Sequence, residues 1–388
     1  MTDHLYLAIR YLCFHWSRTL ILVLCLSLSI GLPWIIFSAV RVFEEQLRAR
    51  ADATPLVMGA PGSRFDLVLH ALTFRTEPPG LIPQALRQDE QLQERGRAVP
   101  ILSNRTAQGY PVVSTEMSYF THRELELDSG NLPLRLGDCV LGAEVARSLG
   151  LQPGDRIFSD PVHPFKMDTA QPLEMRITGI LKQARSPDDD AVFTDLRTGW
   201  LIEGIGHGHN PVTDQPEALL SEEAGAGVAS AALETFVRVT PENLHTFHFH
   251  GDPADFPLTA LLLFPIDRRD GTLLMGHFDA SDRWQIQRPS RVMEEIIALM
   301  AHIESFVRWQ QAVSLVVCLL LVGLIAALTI RLRAREFETF HYLGGGWGIR
   351  LRLQFLEWCL LLALVALAIL FLSVWIAPFS EQWLSVLR

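Results

Sequence analysis

The histidines come closest to a chemical site in this sequence. His207-Gly-His209 lies in a glycine-rich stretch, and His245-Thr-Phe-His248-Phe-His250 follows further along, with Asp252 and Asp255 just beyond it. In an extended chain successive side chains point to opposite faces, so His248 and His250 share one face. Neutral imidazole is a ligand for zinc and its neighbours. His207, His209, His248 and His250 would close a four-coordinate zinc shell if the two segments meet in space. The spacing matches no standard zinc-ligand pattern, and a group of solvated surface histidines in an acidic domain is the competing reading.

Other chemistry is missing. The sequence holds no G-x-S-x-G, no H-E-x-x-H and no C-x-x-C pair. Asp188-Asp189-Asp190 follows Pro187 and reads as a solvated turn, because the glycine and distal glutamate of an EF-hand loop are lacking. The only two lysines, Lys166 and Lys182, neither follow a glycine nor precede Ser or Thr, so there is no phosphate loop of the G-x-x-x-x-G-K-[ST] kind. The expectation is a non-enzyme that binds a ligand or partner rather than transforming it.

Three uncharged runs decide where these residues sit: Thr19 to Val40, Trp309 to Ile330 and Trp358 to Ser380. Each is long enough to cross a bilayer, since ~20 helical residues at 1.5 Å rise cover the ~30 Å hydrocarbon layer. The first run exceeds the apolar core of a signal peptide and no clean A-x-A site follows it, which predicts a retained helix. Arg331, Arg333, Arg335, Arg350 and Arg352 fill the short loop between the last two runs, while the tail carries only Arg388. The excess of basic residues places that loop and the N-terminus in the cytoplasm and the long middle segment outside.

The expected order is a cytoplasmic N-terminus (1–18), a first span (19–40), an extracytoplasmic domain with helical stalks at both ends (41–308) and a second span (309–330). A cytoplasmic loop (331–357), a third span (358–380) and a tail (381–388) follow. The formal charge of the whole chain is −10, and segment 41–308 carries 38 acidic against 25 basic side chains, a net of −13. Nucleic acid is an improbable partner for so acidic a surface. Cys139 is the lone cysteine of the middle segment, so that domain must hold itself together with an apolar core.

The fold class expected for the middle segment is α+β, a mixed α/β domain inserted between spans 1 and 2. Val99 to Leu102, Tyr110 to Ser114, Leu173 to Leu181 and Thr235 to Val239 read as strands. In the third of these Leu173, Met175 and Ile177 alternate with polar Glu174, Arg176 and Thr178. Gly142 to Leu149 reads as a short helix stopped by Gly150 ahead of a Pro153-Gly154-Asp155 turn. Pro187 to Gly227 reads as a long loop or a small subdomain junction. Arg41 to Ala51 continues the first run as helix, and Arg291 to Trp309 leads helically into the second, so two stalks are predicted to enter the domain.

On the cytoplasmic side Arg335 to Leu343 is a short amphipathic helix with Phe337, Phe340 and Leu343 at three-residue spacing, ended by Gly344-Gly345-Gly346. Each such side chain buried in a partner groove stabilises the contact by ~1.5–3 kcal/mol, which favours a protein partner over a solvated turn, and the run is short for the other alternative, a helix lying on lipid.

Together these features resemble the MacB/FtsX superfamily of ABC-transporter permeases. The resemblance rests on the order of span, large outer domain and span, then Arg335-Glu336, Leu343-Gly344, and Glu357 opening a third run. It rests also on Leu141-Gly-Ala-Glu-Val-Ala-Arg-Ser-Leu-Gly-Leu-Gln-Pro-Gly-Asp155, which is similar to a segment common in the outer domains of that group. Val57-Met-Gly-Ala-Pro-Gly-Ser63, with Pro78-Pro79-Gly80-Leu-Ile-Pro83, is similar to a subgroup of poorly defined cargo.

The resemblance implies a homodimer in a bacterial inner membrane and an ABC ATPase that carries ATP and Mg on a separate chain. It also implies a coupling helix formed by Arg335, Glu336, Phe337, Phe340, Leu343 and Gly344, and a periplasmic partner or cargo for the outer domain. The family has four spans where this sequence shows three runs. The rival expectation is a membrane-anchored metal-binding or sensor protein acting without ATP.

Overall fold

A computed structural model of the chain describes residues 2–133, 135–161, 171–208, 237–279, 283–332, 342 and 347–387. Its helices are α1 (Thr2–Phe14), α2 (Trp16–Asp52), α3 (Arg64–Thr73), α4 (Glu90–Arg95), α5 (Met117–His122), α6 (Ala143–Leu149), α7 (Leu196–Ile202), α8 (Arg268–Asp279), α9 (Pro289–Leu332) and α10 (Trp347–Leu387). The strands are β1 (Leu56–Gly59), β2 (Ile82–Pro83), β3 (Gly96–Ala107), β4 (Tyr110–Thr115), β5 (Leu127–Gly130), β6 (Asp138–Leu141), β7 (Arg156–Phe158), β8 (Leu173–Leu181), β9 (Val192–Asp195), β10 (Gly206–Gly208), β11 (Val237–Arg238), β12 (Phe247–Phe249), β13 (Pro257–Leu258), β14 (Ala260–Pro265) and β15 (Gln285–Gln287). Two compact units divide the chain, one made of Met1–Glu45 with Ile296–Leu387 and the other of Gln46–Glu295.

The first unit is helical. The three apolar runs fall within α2, α9 and α10. Among the described residues one stretch, Arg352–Leu372, is long and apolar enough to cross a membrane by itself. Leu5–Phe14 and Trp16–Gly31 form an apolar pair bent by 91°, and Arg308–Leu324 is a shorter apolar stretch. The segment 1–18, expected as a cytoplasmic lead-in, is therefore largely the helix α1. Leu22, Leu26, Cys318, Leu361 and Val365 make a small core in this unit. Leu319, Leu320 and Leu324 of α9, and Leu367, Leu370 and Phe371 of α10, stay exposed. Exposed apolar side chains in such number are unfavourable in water.

The second unit is built on an eleven-stranded sheet in the order β11-β8-β6-β9-β4-β3-β14-β1-β15, with β5 and β7 also paired to β8. Its interior strand β14, between β3 and β1, is an unbroken apolar run, as suits a strand covered on both faces. Alternate residues divide between two cores. Val57, Val99, Ile101, Ala260 and Leu262 pack with Leu67 and Ala71 of α3 and Tyr119 and Phe120 of α5. Leu56, Met58, Leu261 and Leu263 face the opposite way, against Trp200 of α7 and Leu274 and Phe278 of α8. A third cluster joins Cys139, Leu141, Leu173, Met175 and Ile177 to Val145 and Ala146 of α6.

Most strand expectations match. Val99 to Leu102 lies in β3, Tyr110 to Ser114 in β4 and Leu173 to Leu181 is β8, while of Thr235 to Val239 the strand β11 takes Val237 and Arg238. The helix α6 ends at Gly150, whose left-handed backbone (φ 66°) turns its N–H back to the carbonyl of Ala146. The helix α2 runs on to Asp52 and α9 starts at Pro289, as the stalk patterns require.

Three expectations need correction. Asp188, Asp189 and Asp190 are buried rather than solvated. The stretch after Pro187 is not a loop throughout, since β9, α7 and β10 occupy it up to Gly208, and the rest of Pro187 to Gly227 lies outside the described residues. Glu174 points to a covered face of β8, where Arg156 and Arg238 both donate to its carboxylate, the latter at 2.6 Å. A carboxylate is tolerated in such a place only when it is paired.

Candidate functional site

The last turn of α2 carries an enclosed polar network of the second unit. Arg50 donates to both carboxylate oxygens of Asp188, one of these bonds spanning 3.0 Å, and also donates to the Tyr119 hydroxyl at 2.9 Å. The Tyr119 hydroxyl in turn donates a hydrogen bond to Asp188 Oδ1 at 2.5 Å. The Arg50 and Asp188 side chains are 6% and 2% exposed. The guanidinium also lies over the Phe74 ring at 5.4 Å, while Arg123 covers the Tyr119 ring at 5.8 Å.

Local structure aims each group. Asp188 follows Ser186 and Pro187, which start a one-turn 3₁₀ helix closed by a capping box between Ser186 and Asp189. Asp189 is thereby spent on the backbone N–H groups of Ala184 and Ser186, leaving Asp188 to face Arg50.

Burial pushes the Asp188 carboxyl up, but the adjacent Arg50 guanidinium and its hydrogen bonds outweigh that and bring it down to about 2. Burial also lowers the Arg50 pKa, and Asp188 more than reverses this, so the pair stays ionised. Burial drives the Tyr119 hydroxyl up and keeps it protonated as a donor. The sequence pattern missed this network. Its partners stand 69 and 138 residues from Arg50, and its only local signal is the Ser-Pro-Asp-Asp cap.

The histidines form a second cluster. Strand β10 pairs antiparallel with β12, setting Gly206 against Phe249, His207 against His248 and Gly208 against Phe247. Phe249 and Phe247 lie over the two glycines so closely that a Cβ on Gly206 or Gly208 would come within 2.7 Å of the ring. Those rings add to the buried clusters beneath, and alternation turns the imidazoles to the opposite face. Ring centroids are 4.7 Å apart for His207 and His248, 4.8 Å for His207 and His250, and 4.6 Å for His248 and His250.

The structure thus brings together three of the four histidines singled out in the sequence, and His209 lies outside the described residues. Arg335, Glu336, Phe337, Phe340, Leu343 and Gly344 lie outside them as well.

A cleft of about 460 Å³ opens beside β8, lined among others by Arg135, Arg156, Arg176 and Arg238. Asp138 accepts from Arg176 at 2.8 Å and Glu174 accepts from Arg156 and Arg238, so much of the positive charge is already matched inside the cleft.

No family model matches the sequence. No curated protein matches it either. Among solved structures the chain is similar to the periplasmic region of MacB from Actinobacillus actinomycetemcomitans, at 9% identity and a TM-score of 0.34, over 63% of this chain and 94% of that one. It is also similar to the extracellular domain of the noncanonic ABC-type transporter YknZ from Gram-positive bacteria, at 8% identity and a TM-score of 0.32, over 60% of this chain and 98% of that one.

Proposed function

We propose that this chain is the permease subunit of a MacB/FtsX-like ABC system in a bacterial inner membrane. In this reading ATP hydrolysis on a separate subunit moves the outer domain for export or mechanotransmission, and the chain itself is not catalytic. The observation that carries the proposal is Arg50. It stands on the last turn of α2, the helix that contains the first apolar run, and its charge is held by Asp188 and Tyr119 in the interior of the α/β unit. A residue that served only to end a spacer would have no reason to be buried with a bidentate partner. A helix fastened in this way is suited to carry displacement into the sheet.

The exposed leucines of α9 and α10, the basic loop between them and the lack of a phosphate loop support the same reading. The motif resemblance at Arg335-Glu336 and Leu343-Gly344 supports an ATPase docked on that segment, and a homodimer is the arrangement the resemblance brings with it.

The test is affinity purification of the full chain from membranes of its native host. A phosphate-loop ATPase should co-purify and should be lost from the Phe337→Asp plus Phe340→Asp variant while membrane insertion persists. No ATPase with the unmodified chain overturns the proposal, and retention by the variant overturns the docking assignment.

A further inference from the structure

We propose that His207, His248 and His250 form a three-imidazole binding site for a divalent late first-row transition metal, with zinc as the ion under test. Their donor nitrogens all lie within 4.8 Å of one another. Zinc–imidazole bonds of about 2.0–2.1 Å in tetrahedral geometry require nitrogens roughly 3.4 Å apart, so small ring rotations close the set without moving the strands.

The backbone has already done the costly part. The register sets His207 directly against His248, and His250 follows two residues later on the same face, its N–H bonded to the carbonyl of Ile205 at 3.0 Å. Phe247 and Phe249 fix the ribbon from below. His207 and His250 are exposed and His248 half-buried, so an ion can reach them from solvent.

One orienting contact is also in place. His248 Nδ1 lies 3.3 Å from the Thr246 carbonyl oxygen. A carbonyl only accepts, so this contact puts a proton on Nδ1 and makes Nε2 the nitrogen that would bind a metal, the arrangement by which outer contacts fix ligating histidines.

Three neutral nitrogen donors select zinc, copper or nickel over calcium or magnesium, which take oxygen. Among the described residues three donors converge, and a fourth ligand completes the tetrahedral shell that zinc prefers. A dipositive ion is also favoured by the overall field of segment 41–308, whose net charge is −13. The inference does not depend on the ABC reading, and its test involves neither ATPase nor transport.

The experiment uses the full chain in detergent with a purification tag free of histidine. Co²⁺ is titrated while its visible d–d absorption is followed, and Zn²⁺ then displaces it. One equivalent per chain is expected, with the intense absorption of a four- or five-coordinate nitrogen-bound ion. The chain holds 13 histidines, so variants must locate the site.

His248→Ala plus His250→Ala, and separately His207→Ala from the other strand, should each weaken binding by at least about 100-fold, the upper end of what an outer-shell change alone costs. Both should keep the unfolding temperature of the metal-free chain and lose the rise that Zn²⁺ produces. His245→Ala should change neither. Absence of saturable one-to-one binding by the unmodified chain overturns the proposal, as does binding that survives in either site variant.

Discussion

Arg50 and Asp188 are joined by two hydrogen bonds across 138 residues of sequence, in a place where both side chains are almost wholly enclosed. A buried ion pair of this kind is not evidence of extra stability, because desolvation of the two charges offsets much of their attraction. What it does enforce is location: removing either partner leaves the other charged and unsolvated.

Arg50→Met should destabilise the α/β unit by about 3–5 kcal/mol, because Asp188 is left as an uncompensated charge. Tyr119→Phe removes one donor to an ionised acceptor and should cost about 1.5–3 kcal/mol. Pairing Arg50→Met with Asp188→Leu should recover much of the first loss. Urea unfolding of the three variants followed by tryptophan fluorescence measures this. An Arg50→Met protein as stable as the parent would refute the burial of the pair.

Acid should act on the same pair. Asp188 titrates near 2 in the folded protein and at about 3.9 when unfolded, so its contribution is complete above pH ~4 and disappears as pH falls towards 2. The contribution is on the order of 2–3 kcal/mol. Stability measured from pH 5 down to pH 2 should fall more shallowly in Asp188→Asn than in the parent. Parallel curves would show that the carboxylate is not held down in the native state.

Cys139 is fully buried, and its thiol is pushed well above the usual range by desolvation, with Asp138 adding to the shift. The thiolate is the reactive form, so N-ethylmaleimide should leave Cys139 unmodified in the native protein at pH 7 and label it in denaturant. Peptide mass spectrometry reads the outcome at that residue. Rapid native labelling would contradict the packing of Cys139 with Leu141, Met175 and Ile177.

Opposite-side placement of domain and loop is tested by labelling sealed spheroplasts. Arg269 on α8 and Tyr342 between α9 and α10 are both exposed. Arg269→Cys should react with a membrane-impermeant maleimide in intact spheroplasts, and Tyr342→Cys only after lysis. Reaction of both in the same compartment would remove the topology on which the functional proposal stands.

Elements whose signal is local were legible in the residues. The alternation of Leu173, Met175 and Ile177 marks β8, the Ala143 to Leu149 periodicity with Gly150 marks α6, and uninterrupted helical patterns carry α2 and α9 past their apolar runs. The histidine cluster was half legible. Alternation puts His248 and His250 on one face, but nothing in the spacing tells that His207 stands opposite, because cross-strand register depends on which Phe rings settle over Gly206 and Gly208.

The acidic triplet was misread for a related reason. Asp-Asp-Asp after Pro has the composition of a solvated turn, and only the arrival of Arg50 and Tyr119 from distant segments makes burial of Asp188 tolerable. Amino-acid order alone thus set the apolar runs, the acidic middle, the lack of a phosphate loop and the faces of single strands and helices. These follow from hydropathy and from periods of 2.0 and 3.6 residues. Tertiary structure decided which charges meet and which imidazoles converge, since such contacts form only when the sheet has brought together residues that the sequence keeps far apart.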